Sequence, residues 1–225
     1  MAGPTKTSGP GPVAQPVAVL CDFDGTIVAS QTIDELYCRF AGPSCQSYVE
    51  RWRRGEISSQ QELQGCFSTI TATRAEMESY LDTVGIVPGF WRFVRFCQQQ
   101  GYKVAIVSEG LRWSIEYMLS RHGIGPLTVV ANEIRFGPDG PELSFPWHDP
   151  AYPMFGVSKA TIVRRYQEQG WQVVFIGDGM TDEAAVTVAD VVFARNGLLT
   201  YCRGLGINAI PFEVFDDIIA AWPLS

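Results

Sequence analysis

The chain has 225 residues, 46% of them hydrophobic and 12% aromatic, which is enough apolar material for one large domain or a core with a small insertion. Its formal net charge of −7 leaves no basic excess to neutralise phosphates, so a nucleic-acid binder is excluded as the default reading. No apolar run is long enough to span a bilayer, so a membrane protein of the helical kind is excluded as well.

Residues 1–16 are polar, small and rich in Gly and Pro; they read as a flexible tail without a secretory signal. Val17 to Cys21 is an apolar run that predicts a buried strand. It ends in Asp22-Phe23-Asp24-Gly25-Thr26. Residues i and i+2 of a strand point the same way, so Asp22 and Asp24 project together from its carboxyl end. Two like charges this close repel unless a cation lies between them or one holds a proton. A hard divalent cation such as Mg2+ takes oxygen ligands and suits the pair. Gly25 permits a sharp turn, and Thr26 offers a hydroxyl and a backbone N–H to an anion. The plain alternative is a strand running into an Asp-Gly turn with solvated acids.

From Ile33 to Phe40, apolar residues recur at i, i+3, i+4 and i+7, predicting a helix that Gly42-Pro43 breaks. Ser47–Trp52 and Ser59–Ile70 carry further helical patterns, and Thr73-Arg74-Ala75-Glu76 reads as a capping box opening a helix over Met77–Val84. Residues 32–85 therefore read as a helical insertion, a natural cap. Within it, Arg51-Trp52-Arg53-Arg54 reads as a solvated helix face, with the alternative that one arginine reaches an anionic group of a substrate.

Past Pro88 the pattern becomes alternating. Phe90–Gln100 is an amphipathic helix closed by Gly101, Tyr102–Val107 a second buried strand, and Leu111–His122 the next helix. Between strand and helix, Ser108 with the N–H groups of Glu109 and Gly110 forms either an anion cradle or a plain helix cap. Thr128–Val130 predicts a third strand, and Glu133–Phe136 with Glu142–Phe145 a hairpin around Pro138-Asp139-Gly140. Val157–Gln169 is a helix with Lys159 at its start, an unfavourable place for a cation beside the helix dipole. Trp171–Ile176 is a fourth buried strand, ending in Gly177-Asp178-Gly179-Met180-Thr181-Asp182, a second acidic pair. A helix over Asp182–Val188, a strand over Val191–Phe193 and helices over Leu198–Arg203 and Val214–Ala221 complete the chain. The six cysteines, at 21, 38, 45, 66, 97 and 202, contain no C-x-x-C pair and read as reduced thiols of a cytoplasmic protein.

Alternation of strand and helix predicts an α/β fold, a doubly wound parallel sheet, with the small helical cap inserted after strand 1. Residues 17–31 and 86–225 make its core. Ligands in such sheets bind beyond the carboxyl ends of the strands, where the polar strings of strands one, two and four all fall.

Asp22-Phe23-Asp24-Gly25-Thr26 resembles the first motif of the haloacid dehalogenase-like superfamily, Ser108 its second, Lys159 its third, and Asp178 with Asp182 its fourth. The helical insertion resembles that of the phosphoserine phosphatase branch. The carboxyl-terminal residues Phe193-Ala194-Arg195, Cys202-Arg203, Asn208 and Pro211-Phe212 are similar to those of methionine-salvage phosphatases, which act on a hydroxy-keto-methylthiopentenyl phosphate. The resemblance implies a Rossmann-like core and a Mg2+-dependent phosphatase acting on a small phosphorylated metabolite through an aspartyl-phosphate. It assigns Asp22 as nucleophile and Asp24 as acid and base. Mg2+ falls to Asp22, Asp178 and the carbonyl of Asp24, and phosphate to Thr26, Ser108, Gly110 and Lys159. Asp182 orients Lys159 or a metal-bound water. Glu109 and Gln31 are further substrate-facing candidates and depart from the pattern. Glu109 stands where relatives have Gly. Gln31 stands where phosphoserine phosphatases carry a Glu for the substrate's ammonium. Gln31 points to a substrate without an amino group, although Glu35 or Glu109 could supply the charge instead. Phosphoserine hydrolysis and a catalytically silent binding protein on this fold are the alternatives. A phosphate-accepting receiver is disfavoured, since its acceptor Asp sits on a middle strand. A monomer or homodimer is expected.

Overall fold

The computed structural model describes residues 15–138 and 140–224. Save for its last two residues, the tail expected over 1–16 lies outside the described residues, as does Asp139 of the hairpin turn. The chain opens with β1 (Val17–Cys21) and four helices, α1 (Thr32–Phe40), α2 (Cys45–Arg53), α3 (Ser59–Phe67) and α4 (Arg74–Leu81). Then come α5 (Phe90–Gln99), β2 (Lys103–Leu111), α6 (Arg112–Arg121), β3 (Thr128–Gly137), β4 (Gly140–Ser144) and α7 (Lys159–Glu168). The last part holds β5 (Gln172–Gly177), a 3-10 turn at Met180–Asp182, α8 (Glu183–Val186), β6 (Val191–Ala194), α9 (Asn196–Leu205), β7 (Ala209–Pro211) and α10 (Phe215–Ala220).

The strands form one seven-stranded sheet in the order β4-β3-β2-β1-β5-β6-β7. Every pairing is parallel except β3 with β4. The expected doubly wound α/β fold is therefore present. β1 lies at its centre, with Leu20 opposite Ala105 of β2 and Phe175 of β5. Such a position has water on neither face, which is why β1 is apolar throughout rather than alternating. Val17, Val19 and Cys21 enter one core layer and Leu20 the other. The first layer is closed by aromatic contacts, with Phe215 of α10 4.9 Å from Phe90 and 5.3 Å from Phe93 of α5.

Several local expectations are corrected. The third strand and the first hairpin strand are one element, β3, because no Gly or Pro interrupts residues 130–136. β2 does not stop at Val107; it continues to Leu111 through an irregular stretch that carries Ser108, Glu109 and Gly110. β7 was not anticipated. In the insertion, Thr73 and Glu76 form the expected capping box, and Ser58 with Gln61 forms another. The cysteines are not all reduced: Cys45 and Cys66 form a disulfide joining α2 to α3, with Cα atoms 4.6 Å apart. Cys21, Cys38, Cys97 and Cys202 are free thiols. No helix of the described residues is long and apolar enough to cross a membrane.

Candidate active site

The polar strings at the ends of β1, β2 and β5 meet in one place because those strands are neighbours. Asp22 is 4% exposed, and its backbone N–H donates to the Ile176 carbonyl of β5 at 2.9 Å. Past it the chain turns tightly, with Ile27 N–H returning to the Phe23 carbonyl at 2.8 Å. Gly25 sits in this turn at φ +74°, and a Cβ there would lie 2.3 Å from Asp178 Oδ2. Glycine is thus required twice, by conformation and by the approach of the second acidic string. Arg195 secures the same turn from the far side. Its Nε donates to the Gly25 carbonyl at 2.8 Å, Nη2 to the Thr26 carbonyl at 3.1 Å, and Nη1 to the Glu213 carbonyl at 2.9 Å.

Lys159 is buried at the start of α7. Its Nζ donates to Asp22 Oδ1 and to Asp182 Oδ1, each at 2.6 Å, and to Thr181 Oγ1 at 3.1 Å. Burial works against its charge, but Asp182 and Asp22 outweigh it and hold the ammonium well above its usual range. Asp182, fully buried, uses its other oxygen to accept from the N–H groups of Asp178 at 3.0 Å and Gly179 at 3.2 Å.

Asp24 faces the β2 side. Its Oδ1 accepts from Thr32 N–H at 2.8 Å, and its Oδ2 lies 3.2 Å from where a Cβ on Gly110 would be. Burial raises Asp24 to about 6, against the Thr32 hydrogen bonds. Ser108 Oγ accepts from Gly110 N–H at 3.0 Å, so these two cradle groups are paired with each other. The buried Thr26 hydroxyl has no partner among the described residues. Asp22, Asp178 and Asp182 each offer a carboxylate oxygen, all within 4.8 Å of one another. Burial and the Asp182 charge raise Asp22, and burial raises Asp178. Hard oxygen donors that repel one another fit a divalent cation.

Asp22, Asp24, Ser108, Gly110 and Asp178 bound a cavity of about 290 Å3, whose outer wall comes from the insertion and includes Ile33, Asp34, Trp52, Ser59, Glu62 and Leu63; Thr26, Lys159 and Asp182 lie behind its surface. Gln31 lines it too. Glu109 also lines it, yet its carboxylate accepts from Ser59 Oγ at 2.8 Å, Gly156 N–H at 3.1 Å and Val157 N–H at 2.8 Å. Glu109 is thus taken up in tying α3 to the loop before α7. Glu35 lies elsewhere, accepting from the Tyr80 hydroxyl. Arg53 pairs with Asp34 at 3.0 Å and Arg54 with Glu56 at 2.6 Å, and Arg51 lies 3.8 Å from Glu56. None of these arginines lines the cavity; Trp52 does.

A model of the haloacid dehalogenase-like hydrolases matches residues 19–185. The chain is a haloacid dehalogenase-like hydrolase. Among similar proteins, an Exiguobacterium protein named 2-hydroxy-3-keto-5-methylthiopentenyl-1-phosphate phosphatase is 30% identical over 206 residues, covering 90% of this chain and 95% of its own. A Brevibacillus brevis protein of the same name is 27% identical, covering 92% and 95%. Among solved structures, a phospho-aspartyl intermediate analogue of phosphoserine phosphatase superposes with a TM-score of 0.68 at 20% identity, covering 92% of this chain and 98% of its own. A Salmonella enterica hydrolase of the same family gives 0.71 at 16% identity, covering 92% and 71%. This hydrolase is a phosphatase.

Sequence reasoning missed three contributors. Arg195 was noted only as part of a resemblance. Asn196, at φ +50°, brings its Nδ2 within 3.3 Å of Asp178 Oδ2. Glu62, on α3, is 5% exposed, and its Oε1 has no partner among the described residues.

Burial raises the Glu62 carboxyl from 4.5 to about 8, with Asp34 and Glu109 adding repulsion and Arg53 opposing it. Its folded value lies above its unfolded one, so the folded state holds this proton more tightly. The corresponding stability is full below about pH 4.5 and is lost as pH rises towards 8. Glu62→Gln keeps the shape without the charge. It is expected to match the parent near pH 5 and to exceed its stability by roughly 2–4 kcal/mol at pH 8 in urea unfolding. The same difference at both pH values would mean that Glu62 ionises freely.

Proposed function

We infer that the protein is a Mg2+-dependent phosphomonoesterase that hydrolyses a small phosphorylated metabolite through an aspartyl-phosphate on Asp22. The observation that carries this is the convergence of Asp22, Lys159 and Asp182 with Asp24 opposite Ser108 and Gly110. Asp22 attacks phosphorus as its bond to the leaving oxygen breaks. Asp24, raised by burial, gives its proton to the departing alcohol and then takes one from the water that releases phosphate. Lys159 aligns the Asp22 oxygen and neutralises charge; Asp182 fixes Lys159. The hydroxyls of Ser108 and Thr26 and the Gly110 N–H bind the equatorial oxygens once Ser108 and Gly110 exchange their mutual bond for the ligand. Asp22, Asp178 and the Asp24 carbonyl would hold Mg2+, which supplies positive charge that offsets repulsion between nucleophile and phosphate.

Residues 32–85 act in this reading as a cap that walls off water and selects the alcohol. The cavity of about 290 Å3 admits only a small ester. The names of the relatives support 2-hydroxy-3-keto-5-methylthiopentenyl-1-phosphate as a substrate, and Ile33 and Leu63 suit a methylthio tail. Likeness to phosphoserine phosphatase structures supports phosphoserine as the alternative. That reading meets a wall without Lys, Arg or His among the described residues to take the carboxylate. Every reacting group comes from one chain, so a monomer or homodimer suffices.

The experiment is hydrolysis of 4-nitrophenyl phosphate before chelation, after it, and after Mg2+ is restored. Activity is expected to vanish on chelation and return with Mg2+. Full activity in excess chelator would overturn the metal assignment.

A further inference from the structure

The cavity has an acidic outer wall that phosphate chemistry does not use. Its other carboxylates are already engaged: Asp24 accepts from Thr32, Glu109 from Ser59, Gly156 and Val157, and Asp34 pairs with Arg53. Glu62 alone among them is at once buried and without a partner for Oε1 among the described residues. A buried carboxyl without a partner is costly to fold around, and natural interiors supply one. Here no described side chain supplies the partner, and Glu62 lines the space a substrate enters, with Oε1 itself buried in the wall. Asp34 and Glu109 add negative potential at the same point.

We propose a further activity of this site: hydrolysis of phosphate monoesters whose alcohol carries a positively charged primary amine, with Glu62 as the specificity residue that receives the ammonium. The proposal rests on the phosphatase reading above for its chemistry and goes beyond it in naming the alcohol. Glu62 releases its proton to solvent as the ammonium enters, and the ammonium then donates to the carboxylate in a charge-assisted hydrogen bond. Trp52, in the same wall, adds an aromatic surface of the kind cations favour. Gln31 lines the same cavity but, as a neutral amide, brings no charge to it. Among the described residues the lining has no Lys, Arg or His to pair with a carboxylate, which separates simple amino alcohols from amino acids. The ester hydrolyses as in the reaction above: the P–O bond to the alcohol breaks, Asp24 protonates the alcohol, and the ammonium leaves unchanged.

The test compares kcat/KM for 2-aminoethyl phosphate and propyl phosphate, which differ by an ammonium against a methyl group, in the presence of Mg2+. The parent enzyme is expected to favour the amine about tenfold or more, and Glu62→Gln to bring the ratio near one. O-phosphoserine is expected to fall below 2-aminoethyl phosphate in the parent. A parent ratio of one or less, or an undiminished ratio in a folded Glu62→Gln, overturns the proposal. Should Glu62→Gln not fold, Glu62→Asp, which retracts the charge by one methylene, must lower the ratio. Hydrolysis of 4-nitrophenyl phosphate by the parent reports on the phosphatase reading separately. If that activity is absent, calorimetric titration with the same two esters decides the ammonium site without turnover: tighter binding of the amine supports it, equal binding overturns it.

Discussion

Asp22→Asn is expected to cut turnover by roughly 10⁴-fold or more while leaving the protein folded. The change preserves size and removes the anion that attacks phosphorus. Stability should hold or rise. Asp22 is buried and repelled by Asp182, so its charged form is held in place at a cost that Lys159 only partly offsets. In the variant Lys159 still has Asp182 at 2.6 Å. The measurement is steady-state hydrolysis of 4-nitrophenyl phosphate by freshly purified protein, with deamidation excluded by intact mass and folding followed by thermal melting. An Asn variant that keeps most of its activity would remove Asp22 as the nucleophile.

Lys159→Met is expected to lose both activity and stability. Methionine fills similar volume but strands two carboxylates, Asp22 and Asp182, that are 4% and 0% exposed. Breaking a buried pair by deleting one partner costs about 3–5 kcal/mol. For a chain of this size that is a drop in melting temperature of roughly 10 °C. The sign of the pH dependence follows from Asp22. Its folded value is already raised by burial and Asp182, so without the Lys159 ammonium it takes a proton more readily still. The deficit should therefore shrink as pH falls and grow as pH rises. Urea unfolding of variant and parent at pH 5 and pH 8 reads this directly. A variant as stable as the parent at pH 8 would show that Lys159 does not compensate these charges.

The parts of this molecule that were legible in the sequence share a physical cause. β1, β2 and β5 are buried on both faces, so they appear as apolar runs, and the polar strings that follow them had to lie at the rim of the sheet. Lys159 was legible only by resemblance, since one lysine at a helix start carries no signal of burial. β7, three residues ending in proline, is too short to show a period. The bond between Cys45 and Cys66 depends on how α2 packs on α3, which no local pattern encodes. Glu62 was hidden for a similar reason. It stands among Gln60, Gln61 and Gln64 on a helix that looks solvated, and only the fold turns it inwards. Glu109 was visible as a departure but read as a substrate contact. Its three donors come from Ser59, Gly156 and Val157, distant in sequence, and so could not be foreseen.

The central place of β1 has a consequence for how the protein is made. β1 is made before both of its neighbours, β2 at residues 103–111 and β5 at residues 172–177. The turn that carries Asp24 and Gly25 is held by Arg195, which in turn holds the Glu213 carbonyl. During synthesis one edge of this apolar strand can pair with β2 by residue 111, while the other stays unpaired until β5 is made. An unpaired edge of this kind invites misassociation until it is covered. Catalytic competence arrives late: a nascent chain halted before Arg195 carries its nucleophile and the residues of β6 but lacks β7 and the side chain that fixes the catalytic turn, so the first phosphate is released only once Arg195 and its Glu213 anchor have been made.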